Sequence, residues 1–221
     1  MKNSFVLVSS LLLALMLGRQ VLAQDITLKE PQSKVGLDLL DVIKARVVAH
    51  SFVKRVLPLA DLSTILWACN GMKGVDAVSG ASKAARTIPY SGDNAYVNVY
   101  VLTSEGVYLY DPKEKLLRQT SKGDARSLVT IENIETASLM VLFTYDFAKA
   151  PPFLNSLPRL FHDIAEGTAS YAAENMMLAA AAFKLGSIVM YNIKHPASFA
   201  PVAKLGNDET PLFIVQLGYL E

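Results

Sequence analysis

From about Phe161 to Leu185 the chain carries one unbroken helical pattern, with Gly186 placed to close it. Its later part, Ala169 to Phe183, is rich in Ala and Met and is apolar almost all the way round. A helix of that kind has no face for water. It belongs at the centre of a core or in a close contact between helices of two copies, which predicts a homodimer. A chain of 221 residues is one domain's worth, with room for such a core. The charge balance, 21 Lys+Arg against 20 Asp+Glu, lacks the basic footprint of a nucleic-acid binder. A hydrophobic content of 52% excludes a disordered chain, and a single Cys excludes a disulfide framework or a Cys-rich metal site.

Residues 1–23 read as a signal peptide. Lys2 supplies a positive start, Phe5 to Leu17 form an apolar run broken only by Ser9 and Ser10, and Val21-Leu22-Ala23 is a small-residue cleavage site before Gln24. The run is short for a membrane span, and no Cys follows the cleavage site to take a lipid. An uncleaved membrane anchor is the competing reading. Cleavage removes Lys2 and Arg19 and leaves 19 basic against 20 acidic groups, net −1. The expected product is a periplasmic or secreted domain, residues 24–221, with no further membrane association. Cys69 lies on an apolar helical face with Leu62, Ile65 and Leu66, where a thiol is a small buried hydrophobe and unreactive.

The remaining pattern mixes helices and strands without a regular alternation, which is an α+β class. An extended arm covers 24–34. A helix is predicted from Gly36 to about His50, with Leu40, Ile43 and Val47 on one stripe, and another from about Ala60 to Asn70, capped by Gly71. Residues 71–95 contain four glycines and no apolar period, and read as a loop. Strands follow at 96–102 and 106–110 around a short turn, at 115–120, and at 138–145, the last apolar on both faces. Further strands are predicted at 188–193 and 211–217, with a short helix near 197–205 between them.

Most catalytic signatures are missing. His50, His162 and His195 stand in no metal-ligand spacing, so no metal site is predicted. Neither glycine-rich phosphate cradle occurs. Ser51-Phe52-Val53-Lys54 fits the S-x-x-K spacing of serine acyl-transfer enzymes, but the K-T-G and S-D-N partners of that site are absent. No residue is singled out as catalytic.

Several short stretches, taken in order, resemble one family. Ile65-Leu66-Trp67-Ala68-Cys69-Asn70-Gly71 is similar to the L-L-W-A-A-N-G stretch of the nitroreductase family, in its branch that includes azoline dehydrogenases. Arg86-Thr87-Ile88-Pro89-Tyr90-Ser91 stands where that family has R-T-x-P-S. Val97 to Val101 and Gly106 to Asp111 look like its V-Y-V and G-V-Y-x-Y-D hairpin, and Glu174-Asn175-Met176-Met177-Leu178 like its Q-N-x-x-L helix. The chain ends in Pro211-Leu212-Phe213 and Leu217-Gly218-Tyr219, as the family's last strand does.

The resemblance covers about residues 37–219. It implies a nitroreductase-like fold, with a mixed central sheet, flanking helices and a long central helix. It also implies an FMN-dependent homodimer passing hydride between a small-molecule donor and acceptor. Carried over position by position, it assigns cofactor contacts to Arg46, His50, Pro89, Ser91, Asp93, Glu174 and Asn175. Arg46 would take the phosphate. Val48 replaces the family's phosphate-binding Ser, His50 its second Arg, Tyr90 the Ser of P-S, Asp93 an Asn and Glu174 a Gln, and the family's basic terminal residue is absent from Glu221. The same departures suit a second reading, a member that has given up its flavin and serves as a dimeric binding module.

Overall fold

The computed structural model describes residues 24–75, 84–92 and 95–221, so residues 1–23 and Asp93 lie outside the described part. Its framework is a seven-stranded sheet. The strands in chain order are β1 Ile26–Thr27, β2 Met72–Val75, β3 Ala84–Arg86, β4 Val97–Leu102, β5 Gly106–Asp111, β6 Leu116–Lys122, β7 Leu139–Asp146, β8 Leu185–Met190 and β9 Glu209–Tyr219. The sheet runs β1-β6-β5-β4-β7-β9-β8, while β2 and β3 form a separate ribbon. Among the described residues every ladder is antiparallel, and the one parallel pairing is an isolated bridge between Val48 and Ser187. The interior strand β7, between β4 and β9, is buried along all of its length except Asp146, because helices cover both of its faces.

The helices are α1 Leu39–Ala45, α2 Leu59–Asn70, α3 Pro158–Ala182 and α4 Pro196–Ala203. α3 lies across one face of the sheet. Phe161, Ala165, Ala169, Ala172, Met176 and Ala180 recur at helical spacing and are all fully buried. Phe161 meets the rings of Tyr96, Tyr145 and Phe147 edge-on at 4.9, 5.7 and 5.5 Å between centroids. About two turns further on, Thr168 exchanges a hydrogen bond with the Tyr96 hydroxyl at 2.9 Å. The opposite face of the sheet packs Tyr100, Leu142 and Ile214 against Phe199 and Ala203 of α4. Cys69 of α2 is fully buried, and burial pushes its thiol far above the ordinary range.

Three expectations are corrected. The long helix ends at Ala182, and the chain turns into β8 through Lys184 at φ 63°, so Gly186 lies within the strand and caps nothing. The loop expected over 71–95 contains the β2–β3 ribbon, whose backbone ladder leaves no apolar period to read. The helix expected over 36–50 is only α1, seven residues long. It stops at Arg46 because Val47 and Ala49 spend their backbone groups on the open edge of β8. Ala49 N–H donates to Ser187 O at 2.9 Å, and Ser187 N–H donates to Val47 O at 3.2 Å. The stripe Leu40, Ile43, Val47 faces away from the chain's own core, and only Val42 of α1 is buried.

Phe52 then closes over β9 at Gly218. A Cβ at Gly218 would stand 2.6 Å from Phe52 Cγ, so the segment that carries Arg46 and His50 seats only on a bare backbone. Gly218→Ala is therefore expected to destabilise the fold by about 1–3 kcal/mol through overpacking. A denaturant midpoint lowered with an unchanged slope would show it; an unchanged midpoint would mean that Phe52 simply moves aside.

Candidate functional site

The site is assembled where the end of α1 meets the middle of α3. Arg46, at the C-cap of α1, brings its Nε to 3.6 Å from Glu174 Oε1, with side chains 34% and 50% exposed. A helix C-terminus is a favourable seat for a cation. The nearest other cation of α1, Lys44, is paired with Asp41 at 3.3 Å. Next to Glu174, the half-buried Asn175 donates from Nδ2 to Thr87 O at 3.4 Å, which ties α3 to the loop after β3.

That loop is held by the end of α2. Arg86 Nη1 donates to Asn70 O at 3.0 Å, Thr87 Oγ1 accepts from Gly71 N–H at 2.9 Å, and Thr87 N–H donates to Gly71 O at 3.0 Å. The Arg-Thr pair thus satisfies carbonyls that a helix terminus leaves unpaired. Pro89 follows as an exposed residue. Tyr90 turns inward, donating to Asn70 Oδ1 at 3.1 Å and packing edge-on against Tyr96 at 5.0 Å. Burial drives its hydroxyl well above the usual phenol range, so it stays a neutral donor. The residue that stands in the place of Ser is therefore part of the core. Ser91, half-buried, donates its N–H to Tyr96 Oη at 3.2 Å.

The structure thus pairs Arg46 with Glu174, ties the neighbouring Asn175 to Thr87, and carries Pro89 and Ser91 on the same loop as Thr87. His50 is exposed on the segment beyond the Val48 bridge, with no hydrogen bond or ion pair to the others among the described residues. Val48 leaves its apolar side chain 62% exposed.

Beside Asn175 opens a cavity of about 790 Å³, walled by Val42, Trp67, Leu178 and Ala179, with Lys34 and Lys73 among its lining residues. Trp67, whose Nε1 donates to Met72 O at 2.9 Å, was legible in the Leu-Trp-Ala stretch as a motif residue but not as a wall. Lys34 and Lys73 carry no sequence signal, because only folding brings the arm and the ribbon to α3. Among the described residues no group of three His, Cys, Asp or Glu could hold a metal, and no helix is long and apolar enough to cross a membrane.

A model of the nitroreductase family matches residues 43–219. Among solved structures, a candidate nitroreductase from Ralstonia eutropha JMP134 is similar at 26% identity and a TM-score of 0.76, covering 92% of this chain and 96% of that one. A candidate nitroreductase from Anabaena variabilis ATCC 29413 gives 18% and 0.70, covering 90% of this chain and 42% of that one. The NADPH:FMN oxidoreductase of Vibrio harveyi, solved with NAD+, shares the fold at 15% identity and a TM-score of 0.54, covering 83% and 69%. No curated protein matches the chain.

Proposed function

The chain belongs to the nitroreductase family, and on that premise we propose that it is an exported, homodimeric oxidoreductase. It would bind FMN and pass hydride from a small-molecule donor to a small-molecule acceptor. The observation that carries this reading is that the end of α1, with Arg46, meets α3 at the turn that holds Asn175, two segments far apart in sequence that the family model spans. The donor set suits the cofactor. A guanidinium serves a phosphate, and an amide and a hydroxyl serve the polar edge of the ring.

When bound, FMN supplies a two-electron carrier that takes and gives hydride. Arg46 would hold the phosphate with its planar fork, replacing the long contact to Glu174. Asn175 has committed Nδ2 to Thr87 O, and its Oδ1, which takes no donor among the described residues, would accept from a ring N–H. Ser91 supplies a hydroxyl, Pro89 an exposed surface without an N–H, and His50 a second donor when protonated. The exported location favours a donor other than soluble NAD(P)H, which is a cytoplasmic reductant. The exposed Leu39, Leu40 and Ile43 of α1 and Tyr171 of α3 form the apolar surface that a second copy would cover.

A flavin-free dimeric module is the second reading. Two observations favour it: Arg46 already has a carboxylate partner, and the apolar Val48 occupies the place of a phosphate donor. Sedimentation velocity of purified protein, followed at protein and flavin absorbance, separates the two. The expected result is flavin travelling with a dimer. A colourless dimer would support the module, and a monomer at micromolar concentration would remove the homodimer from both.

A further inference from the structure

We infer that Glu174 competes for Arg46 with the phosphate of an incoming flavin, and so sets how far this site distinguishes FMN from riboflavin. The inference rests on the proposed flavin binding. The carboxylate lies 3.6 Å from the guanidinium, at the position where the family pattern has an uncharged amide. An amide could meet Arg46 only weakly. A carboxylate gives it a full counter-charge.

Among the described residues of the 44–50 segment, no other group restores the balance. Lys44 is spent on Asp41, Val48 brings no donor, and His50 offers an imidazole that is not permanently charged. Arg46 and Glu174 together carry no net charge. FMN arrives with a phosphate of about −1.5 to −2 charge. To take it, Arg46 must leave Glu174, and the carboxylate is then left beside a like charge. Glu174 is half exposed and can turn to water, so this competition weakens phosphate binding without forbidding it. Riboflavin presents the same ring without the phosphate and leaves the pair undisturbed. The native site should therefore gain about fivefold less from the phosphate than it would without Glu174.

Fluorescence titrations with FMN and with riboflavin test this on the full protein, Glu174→Gln, and Glu174→Gln combined with Arg46→Ala. Glu174 faces water on a helix that Gln also favours, so the fold should hold, and circular dichroism checks it. Glu174→Gln is expected to raise FMN affinity about fivefold relative to riboflavin affinity, the scale of an exposed ion pair. Arg46→Ala in that background should abolish the gain. An FMN-to-riboflavin ratio that Glu174→Gln does not change, in a protein that binds FMN, overturns the inference and leaves the flavin reading standing. Binding of neither flavin by any of the three proteins overturns both. FMN binding that appears only in Glu174→Gln upholds the competition and shows the native protein to be the flavin-free module.

Discussion

Phe161→Ala is expected to lower the unfolding free energy by about 3–5 kcal/mol, the cost of emptying a large core position. Phe161 is fully buried and is the common neighbour of Tyr96, Tyr145 and Phe147. Those rings come from the residue just before β4, from β7 and from the turn that follows it, so one side chain joins the start of α3 to the interior strands of the sheet. The Tyr96–Thr168 hydrogen bond, further along α3, keeps the helix in register and prevents the gap from closing. The loss should appear as a lower denaturant midpoint at unchanged slope, at fixed protein concentration. Leu160→Ala, at a position 47% exposed on the same turn, should cost far less. Equal effects at the two positions would mean that the ring cluster does not anchor the helix.

Arg46→Ala is expected to weaken FMN binding by about 1.5–3 kcal/mol, roughly 10- to 150-fold, through loss of a charge-assisted contact to phosphate. Glu174, left without its partner, would add repulsion. The fold should remain, because Arg46 caps α1 through its backbone N–H to Val42 O, which alanine retains. The converse variant, Val48→Ser with His50→Arg, restores a donor and a permanent cation on an exposed segment and should strengthen binding. A flavin-fluorescence titration of the three proteins decides the matter. Equal affinities would show that the phosphate is bound elsewhere.

Much of the frame was legible along the chain. The strands around residues 97–111 alternate β-branched and aromatic residues across a short turn, and they form the β4–β5 hairpin. The apolar run at 138–145 had to be buried on both faces, and β7 is. The motifs at Trp67, Pro89 and Asn175 were legible as family positions. Their contacts were not. Whether Arg46 faces a phosphate or a carboxylate depends on α3, which lies far along the chain. Whether Tyr90 lines a site or fills the core depends on Tyr96 and Asn70.

The α+β composition, the long buried helix, the hairpin and the family pattern could all be read along the chain. Side-chain periodicity reports how each element is buried, and each of these features is local. Only the tertiary structure decided that α1 stops at Arg46, that Gly186 admits Ala49 and caps nothing, and that Arg46 is paired with Glu174. In each case a local preference competes with a partner brought in from elsewhere. An open strand edge claims the backbone of Val47 and Ala49, and a carboxylate on a distant helix claims the guanidinium. Unpaired backbone groups cost more than a weak helical propensity returns, and a half-exposed guanidinium gains a modest attraction from a carboxylate, so the distant partner wins.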